Sequence, residues 1–160
     1  MSAPVLAIYD PSAILLLHTN ASLLGLGVIQ YQGLNHEKCV LAYAGRTLSL
    51  VEANYTITEL EALAIIWGTE KSRHYLFGQH FMVVTDHHAL CYLHHLKNPT
   101  NRLGRWMTKL EEISYTIQHK SGATHCHVDC LSWYPMDGPA SFPSHHIFFL
   151  HDRQCCCCSA

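Results

Sequence analysis

Charge is scarce in this chain. Asp, Glu, Lys and Arg make up 14% of its 160 residues, against about 25% in an ordinary soluble domain. Ten basic and twelve acidic residues leave a formal charge of −2, which excludes a histone-like polycation and an acidic tail protein alike. No Lys or Arg precedes Lys38, so neither the basic n-region of a secretory signal nor the arginines of a transit peptide are present. Uninterrupted apolar runs such as Ala13–Leu17 and Ile147–Leu150 fall far short of the ~20 residues that span a bilayer as helix. These absences lead to the expectation of an intracellular protein with no membrane partner. Dispersed cysteine pairs are also lacking. Of eight cysteines, Cys155 to Cys158 are consecutive, Cys39 and Cys91 stand alone in apolar segments, and only Cys126 and Cys130 form a spaced pair. That is no secreted disulfide framework, and reduced thiols follow.

What is present is apolar: 49% of the residues, enough for the core of one domain. Fourteen histidines supply a latent positive charge, so an anionic partner should bind better as pH falls through ~6.5.

The chain reads as an α/β domain. Ala13–His18 is a buried strand followed by the turn-like Thr19-Asn20-Ala21-Ser22, then Gly25–Tyr31 and Lys38–Ala44 give two more strands. Short connections make these an antiparallel meander. The period then changes to that of a helix over Thr58–Phe77, opened by two overlapping capping boxes (Thr56 with Glu59, Thr58 with Glu61) and closed by Gly78. Phe81–Thr85 is a strand covered on both faces, and Ala89–Leu96 a short helix. Pro99 interrupts, and a second amphipathic helix starts near Asn101, with Leu103, Trp106, Leu110 and Ile113 in one apolar stripe. Tyr115–His119 alternates as the last strand. The expected architecture is a mixed five-stranded sheet, three antiparallel strands first, flanked by helices. Beyond Tyr134, prolines at 135, 139 and 143 mark a tail.

Acidic residues are few enough to weigh singly. Asp86 ends an apolar strand at its carboxyl edge, where ligands of α/β sheets gather. Glu61 lies in the first turns of the long helix, and Asp129 sits between His127-Val128 and Cys130-Leu131-Ser132. Each also has an ordinary reading: Glu61 completing its capping box, Asp129 as an N-cap, Asp86 capping a helix from His87.

Taken together with their neighbours, these residues resemble the ribonuclease H domain of gypsy-type LTR-retrotransposon reverse transcriptases. The matching words are Pro4-Val5-Leu6, Thr19-Asn20-Ala21-Ser22 with Gly25-Leu26-Gly27, and Leu41-Ala42-Tyr43-Ala44 with Arg46-Thr47-Leu48-Ser49. Asn54-Tyr55 with Thr58–Ile65, Tyr75-Leu76-Phe77-Gly78, Val84–Leu90, Arg102–Trp106 and Val128–Ser132 continue the series. The resemblance covers about residues 4–135, in colinear order.

What the resemblance implies is a ribonuclease H-like fold that cleaves the RNA strand of RNA–DNA hybrids during reverse transcription. Two Mg²⁺ ions held ~3.5–4 Å apart by carboxylates from separate elements perform such a hydrolysis, and hard oxygen ligands suit Mg²⁺. The family's four acids fall on Asn20, Glu61, Asp86 and Asp129. The first position departs from the pattern, because Asn offers one neutral carbonyl oxygen and an amide that cannot ligate. Glu61, Asp86 and Asp129 are therefore the expected catalytic metal ligands, Asn20 a degenerate one, and the copy an impaired enzyme. The implied partners are a hybrid duplex and the polymerase domain of a parent Pol polyprotein, and the implied location is the cytoplasm or a virus-like particle. Residues 1–12 then read as a linker remnant from the polymerase domain, 13–135 as the ribonuclease H-like domain and 136–160 as an unstructured tail. Trp133 after Leu131-Ser132, where the family has Arg, and the run of four cysteines are further departures, and they suggest a degraded copy.

Lys97, Arg102, Arg105 and Lys109 occur with no acid between them, the last three stepping along one helical face. They are the expected phosphate contacts; the alternative is a solvated face opposite the apolar stripe, in which Trp106 belongs to the core. Two other functions stay open: a non-catalytic nucleic-acid-binding relic of the same fold, and a zinc module built on His125, Cys126, His127 and Cys130, which are crowded for one tetrahedron.

Overall fold

The computed structural model describes residues 7–33, 38–88, 90, 101–120 and 126–133, with the backbone alone for Asn101, Cys126, His127, Asp129 and Cys130. Three strands come first: β1 (Leu15–Ala21), β2 (Gly25–Gln32) and β3 (Cys39–Thr47). Helices α1 (Ile57–Lys71) and α2 (Arg73–Leu76) lead to β4 (Phe81–Thr85). Then follow α3 (Asn101–Glu111), β5 (Tyr115–His119) and α4 (Cys126–Trp133). The sheet order is β3-β2-β1-β4-β5. β1, β2 and β3 pair antiparallel, while β4 lies parallel to β1 and β5 parallel to β4. The antiparallel pairs need only tight turns; each parallel neighbour needs a crossover, which α1–α2 and α3 provide.

Residues opposite one another across the strands share a face. Leu15 and Leu17 of β1, Val28 of β2, and Phe81 and Val83 of β4 bury one face against Ala62, Ile65 and Ile66 of α1 and Leu103 and Leu110 of α3. The opposite face carries α4. Asn20 is paired with Gly27, and Gly27 with Gly45, so a row with two bare backbones crosses the meander. A Cβ on Gly27 would stand 2.8 Å from the Val128 carbonyl oxygen and 2.9 Å from Leu131 Cβ; one on Gly45 would stand 3.0 Å from the Leu131 carbonyl oxygen. These glycines let the short helix lie directly on the sheet.

The α1 start follows the expectation only in part. Thr56 is the N-cap, its hydroxyl accepting from the Glu59 N–H while the Glu59 carboxylate accepts from the Thr56 N–H. Thr58 is not a second N-cap, because it already lies inside the helix that Thr56 caps, and Glu61 Oε1 takes the Ala21 N–H at 3.0 Å. The expected single helix over 58–77 breaks at Ser72, whose backbone (φ −90°, ψ 8°) leaves the helical path before α2. Gly78 then turns the chain with φ 75°, a conformation that favours glycine.

Three further expectations are corrected. Thr19-Asn20-Ala21 is not a turn but the end of β1, since each residue pairs with β2. The turn begins at Ser22, whose Oγ accepts from the Leu24 and Gly25 N–H groups. Cys39, although it stands in an apolar segment, is exposed at the start of β3. Asp129 stands inside α4 and is not its N-cap. Within the stretch read as linker, the Ala7 N–H donates to the Val40 carbonyl and Ala7 and Tyr9 pack on the core. Of the expected helix over 89–96 only Leu90, which is buried, is described, and the tail beyond 136 lies outside the described residues. No described helix is long and apolar enough to cross a membrane.

Candidate functional site

The carboxyl ends of β1 and β4 lie side by side. Their parallel register runs from Leu15 opposite Phe81 to His18 opposite Val84, and two residues further on it reaches positions 20 and 86. Asn20 is buried (6% exposed) and Asp86 half-buried just past β4. Glu61 reaches the same corner from α1. It is 3% exposed, and its bond from the Ala21 N–H stitches the first turns of the helix to the last residue of β1. The buried carboxylate thus meets a backbone donor, as burial of an acid requires.

The fourth element enters from the other face. Asn20 Nδ2 donates to Ser132 Oγ at 2.9 Å, and Ser22 Oγ donates to the Ser132 carbonyl at 2.7 Å. Ser132 is fully buried. It fastens α4 to β1, and Asp129 stands on that helix three residues earlier. Positions 20, 61 and 86 and the helix bearing 129 therefore converge on one end of the sheet, although Asp129 is described only in its backbone.

Histidines surround this corner, and sequence reasoning assigned them no place. His119 Nε2 lies 3.0 Å from the Asp86 carbonyl oxygen, His87 Nε2 3.5 Å from Thr58 Oγ1, and the His88 and His119 rings meet edge-on at 5.3 Å. Ser132 was also missed as an actor. It belongs to the quoted word Val128–Ser132, but nothing in the sequence marks a partner 112 positions away.

The two-ion site that the resemblance implies would need several carboxylates at this corner. Among the described residues no group of three or more His, Cys, Asp or Glu is placed to hold a metal ion. Asn20 has its amide turned to Ser132 and offers at most one neutral oxygen. Among the described side chains, Glu61 and Asp86 with the neutral Asn20 supply less negative charge than two Mg²⁺ ions call for. The side chains of His125, Cys126, His127 and Cys130, the zinc alternative, lie outside the described residues.

The basic stripe divides. Arg102 Nη1 pairs with Glu59 Oε1 at 3.1 Å, and its guanidinium sits 3.8 Å from the Tyr55 ring centroid. Lys109 Nζ lies 3.4 Å from Glu70 Oε1 with both side chains over 60% exposed. These two cations link α3 to α1. Arg105 is exposed, and Lys97 lies outside the described residues. Trp106 packs at the core margin beside Tyr55, with ring centroids 6.2 Å apart, as its place in the apolar stripe implies.

Comparison with known proteins places the same arrangement in a wider setting. Residues 10–113 match the model of the RNase H-like domain found in reverse transcriptase. The retrovirus-related Pol polyprotein from transposon 297 of Drosophila melanogaster is 38% identical over 129 residues, 81% of this chain. The chain spans only 12% of that polyprotein's length. Among solved structures, the foamy viral protease-reverse transcriptase in complex with RNA/DNA hybrid is similar over 89% of this chain and 19% of its own, with TM-score 0.59 and 19% identity. RNase H1 from the archaeon Halobacterium salinarum is similar over 74% of this chain and 92% of its own, with TM-score 0.54 and 17% identity. At these identities the solved structures speak for the fold.

Proposed function

The chain belongs to the RNase H-like domains found in reverse transcriptases, and from that premise we propose that it is a hybrid-binding module of a retrotransposon Pol protein whose hydrolytic site is impaired. The observation that carries the reading is Asn20: it occupies the end of β1 beside Glu61 and Asp86, with its amide committed to Ser132. The ancestral activity is endonucleolytic cleavage of the RNA strand of an RNA–DNA hybrid, with Glu61, Asp86 and Asp129 as the remaining metal ligands and Mg²⁺ as the ion. The missing charge falls where two dications would be shared. Losing one preorganised electrostatic contact lowers a rate roughly a hundred- to thousandfold.

Binding does not need that charge. Lys97, Arg102, Arg105 and Lys109 are the proposed phosphate contacts, and each contributes to the salt dependence of binding. A hybrid would be read by shape and 2′-hydroxyls rather than by sequence. A similar solved protein was captured with an RNA/DNA hybrid, which supports this substrate class. The polymerase domain of the parent polyprotein is the proposed covalent neighbour.

A gel-shift and cleavage assay on one labelled hybrid tests the reading. The unaltered chain should retard the hybrid without cutting it, and Asn20→Asp should retard and cut it. Retardation with no cutting by either protein would favour the non-catalytic relic, with more than one site decayed. Failure to bind any hybrid would overturn the proposal.

A further inference from the structure

We propose that Asn20 serves this chain as the clamp that seats α4, and that this makes the end of the sheet independent of divalent cations. Ser132 is held twice, at its hydroxyl by Asn20 Nδ2 (2.9 Å) and at its carbonyl by Ser22 Oγ (2.7 Å). Both donors come from β1 and the turn after it, and all three residues are buried. The row Asn20–Gly27–Gly45 runs beneath the helix. Its two glycines provide room but no side-chain hydrogen bond, so the Asn20 amide is a polar anchor of that seat.

The sign of residue 20 decides what such an anchor needs. An ionised Asp has no hydrogen to donate, so Ser132 Oγ would have to turn its own hydrogen towards the carboxylate. The Asp would also add negative charge beside Glu61, itself 3% exposed and bonded to the adjacent Ala21 N–H, and beside Asp86 at the neighbouring strand end. Carboxylates crowded in a poorly solvated corner repel one another unless a cation lies between them. Asn removes the charge and supplies the donor in one substitution. The cation arm of this inference rests on the proposed reading of position 20 as a metal-ligand position. The Asn20–Ser132 arm stands on the geometry alone.

Thermal unfolding of the full chain, followed by circular dichroism in EDTA and in millimolar Mg²⁺, tests both arms. The unaltered protein should melt at the same temperature in both. Asn20→Asp should melt lower than the unaltered protein in EDTA and recover with Mg²⁺. Asn20→Ala and Ser132→Ala should each lower the melting temperature by roughly 3–8 °C in either medium. The double variant should lose clearly less than the two shifts combined, the mark of a direct interaction. Equal Mg²⁺ stabilisation of the unaltered and Asn20→Asp proteins would overturn the inference. So would an Asn20→Asp protein as stable in EDTA as the original, or additive Ala effects. If Asn20→Asp folds in neither medium, the Ala cycle decides. That cycle is independent of hybrid cleavage, so failure of the hydrolase reading leaves its outcome readable.

Discussion

Arg102 and Arg105 stand three residues apart on α3 and have different fates. Arg102 lies over Tyr55 and pairs with Glu59, whose carboxylate also closes the α1 capping box. Arg105 is exposed. Arg105→Ala should weaken hybrid binding and reduce the slope of log K against log salt by about one. Arg102→Ala should lower the melting temperature, because a stacked, charge-assisted contact between helices is lost. Equilibrium binding at several salt concentrations, together with melting curves, checks both. At the same scale, Glu52 is held down at about 2 from 4.5, chiefly by its hydrogen bonds from Arg46 at 2.7 and 2.8 Å. A depressed carboxyl contributes stability above its ordinary pKa and loses it as pH falls towards the folded value. The melting temperature should therefore fall between pH 4.5 and about 2 less steeply in Glu52→Gln than in the unaltered protein. The pair is partly exposed, so the difference should be modest and shrink with added salt.

Elements differed in how far sequence could predict them. β4 and β5 were expected at their observed bounds, because each is an alternating or wholly apolar run with turn residues on either side. β1 ran past its expected end because Thr19-Asn20-Ala21-Ser22 has the composition of a turn, whereas its pairing with β2 is settled by residues downstream. α4 was foreshadowed in sequence only by the reading of Asp129 as a helix cap. Its eight residues have no clear apolar stripe; the fit lies in Gly27 and Gly45, far away in sequence. Of the expected site residues, Glu61 bonds the Ala21 N–H beside Asn20, and Asp86 follows β4, the parallel neighbour of β1. The Ser132 anchor and the Arg102–Glu59 pair were not legible in the sequence, because each joins residues 43 or more positions apart. The role of the glycine row is checked by Gly27→Ala. The added Cβ meets helix backbone at 2.8 Å, which cannot yield as a flexible side chain would, so the substitution should cost about 1–3 kcal/mol by denaturant unfolding. A neutral result would show that α4 does not lie directly on β2.

For the whole molecule, near-neutral charge conceals two kinds of surface: Asp86 just past β4 with Glu61 in the first turns of α1, and cations along α3. A net charge of −2 therefore does not argue against a nucleic-acid partner, because the acids and the cations would meet different parts of one substrate. The chain spans about an eighth of a related Pol polyprotein, and within that span the fold is kept, while we propose that one ligand position, Asn20, has changed its chemistry. The rate of RNA-strand cleavage in a labelled RNA–DNA hybrid, measured in Mg²⁺ for the unaltered chain and for Asn20→Asp under identical single-turnover conditions, tests that claim most directly. The account predicts cleavage by the Asn20→Asp protein at least roughly a hundredfold faster than by the unaltered chain. Robust Mg²⁺-dependent cleavage by the unaltered chain, at a rate the substitution does not raise, would contradict it.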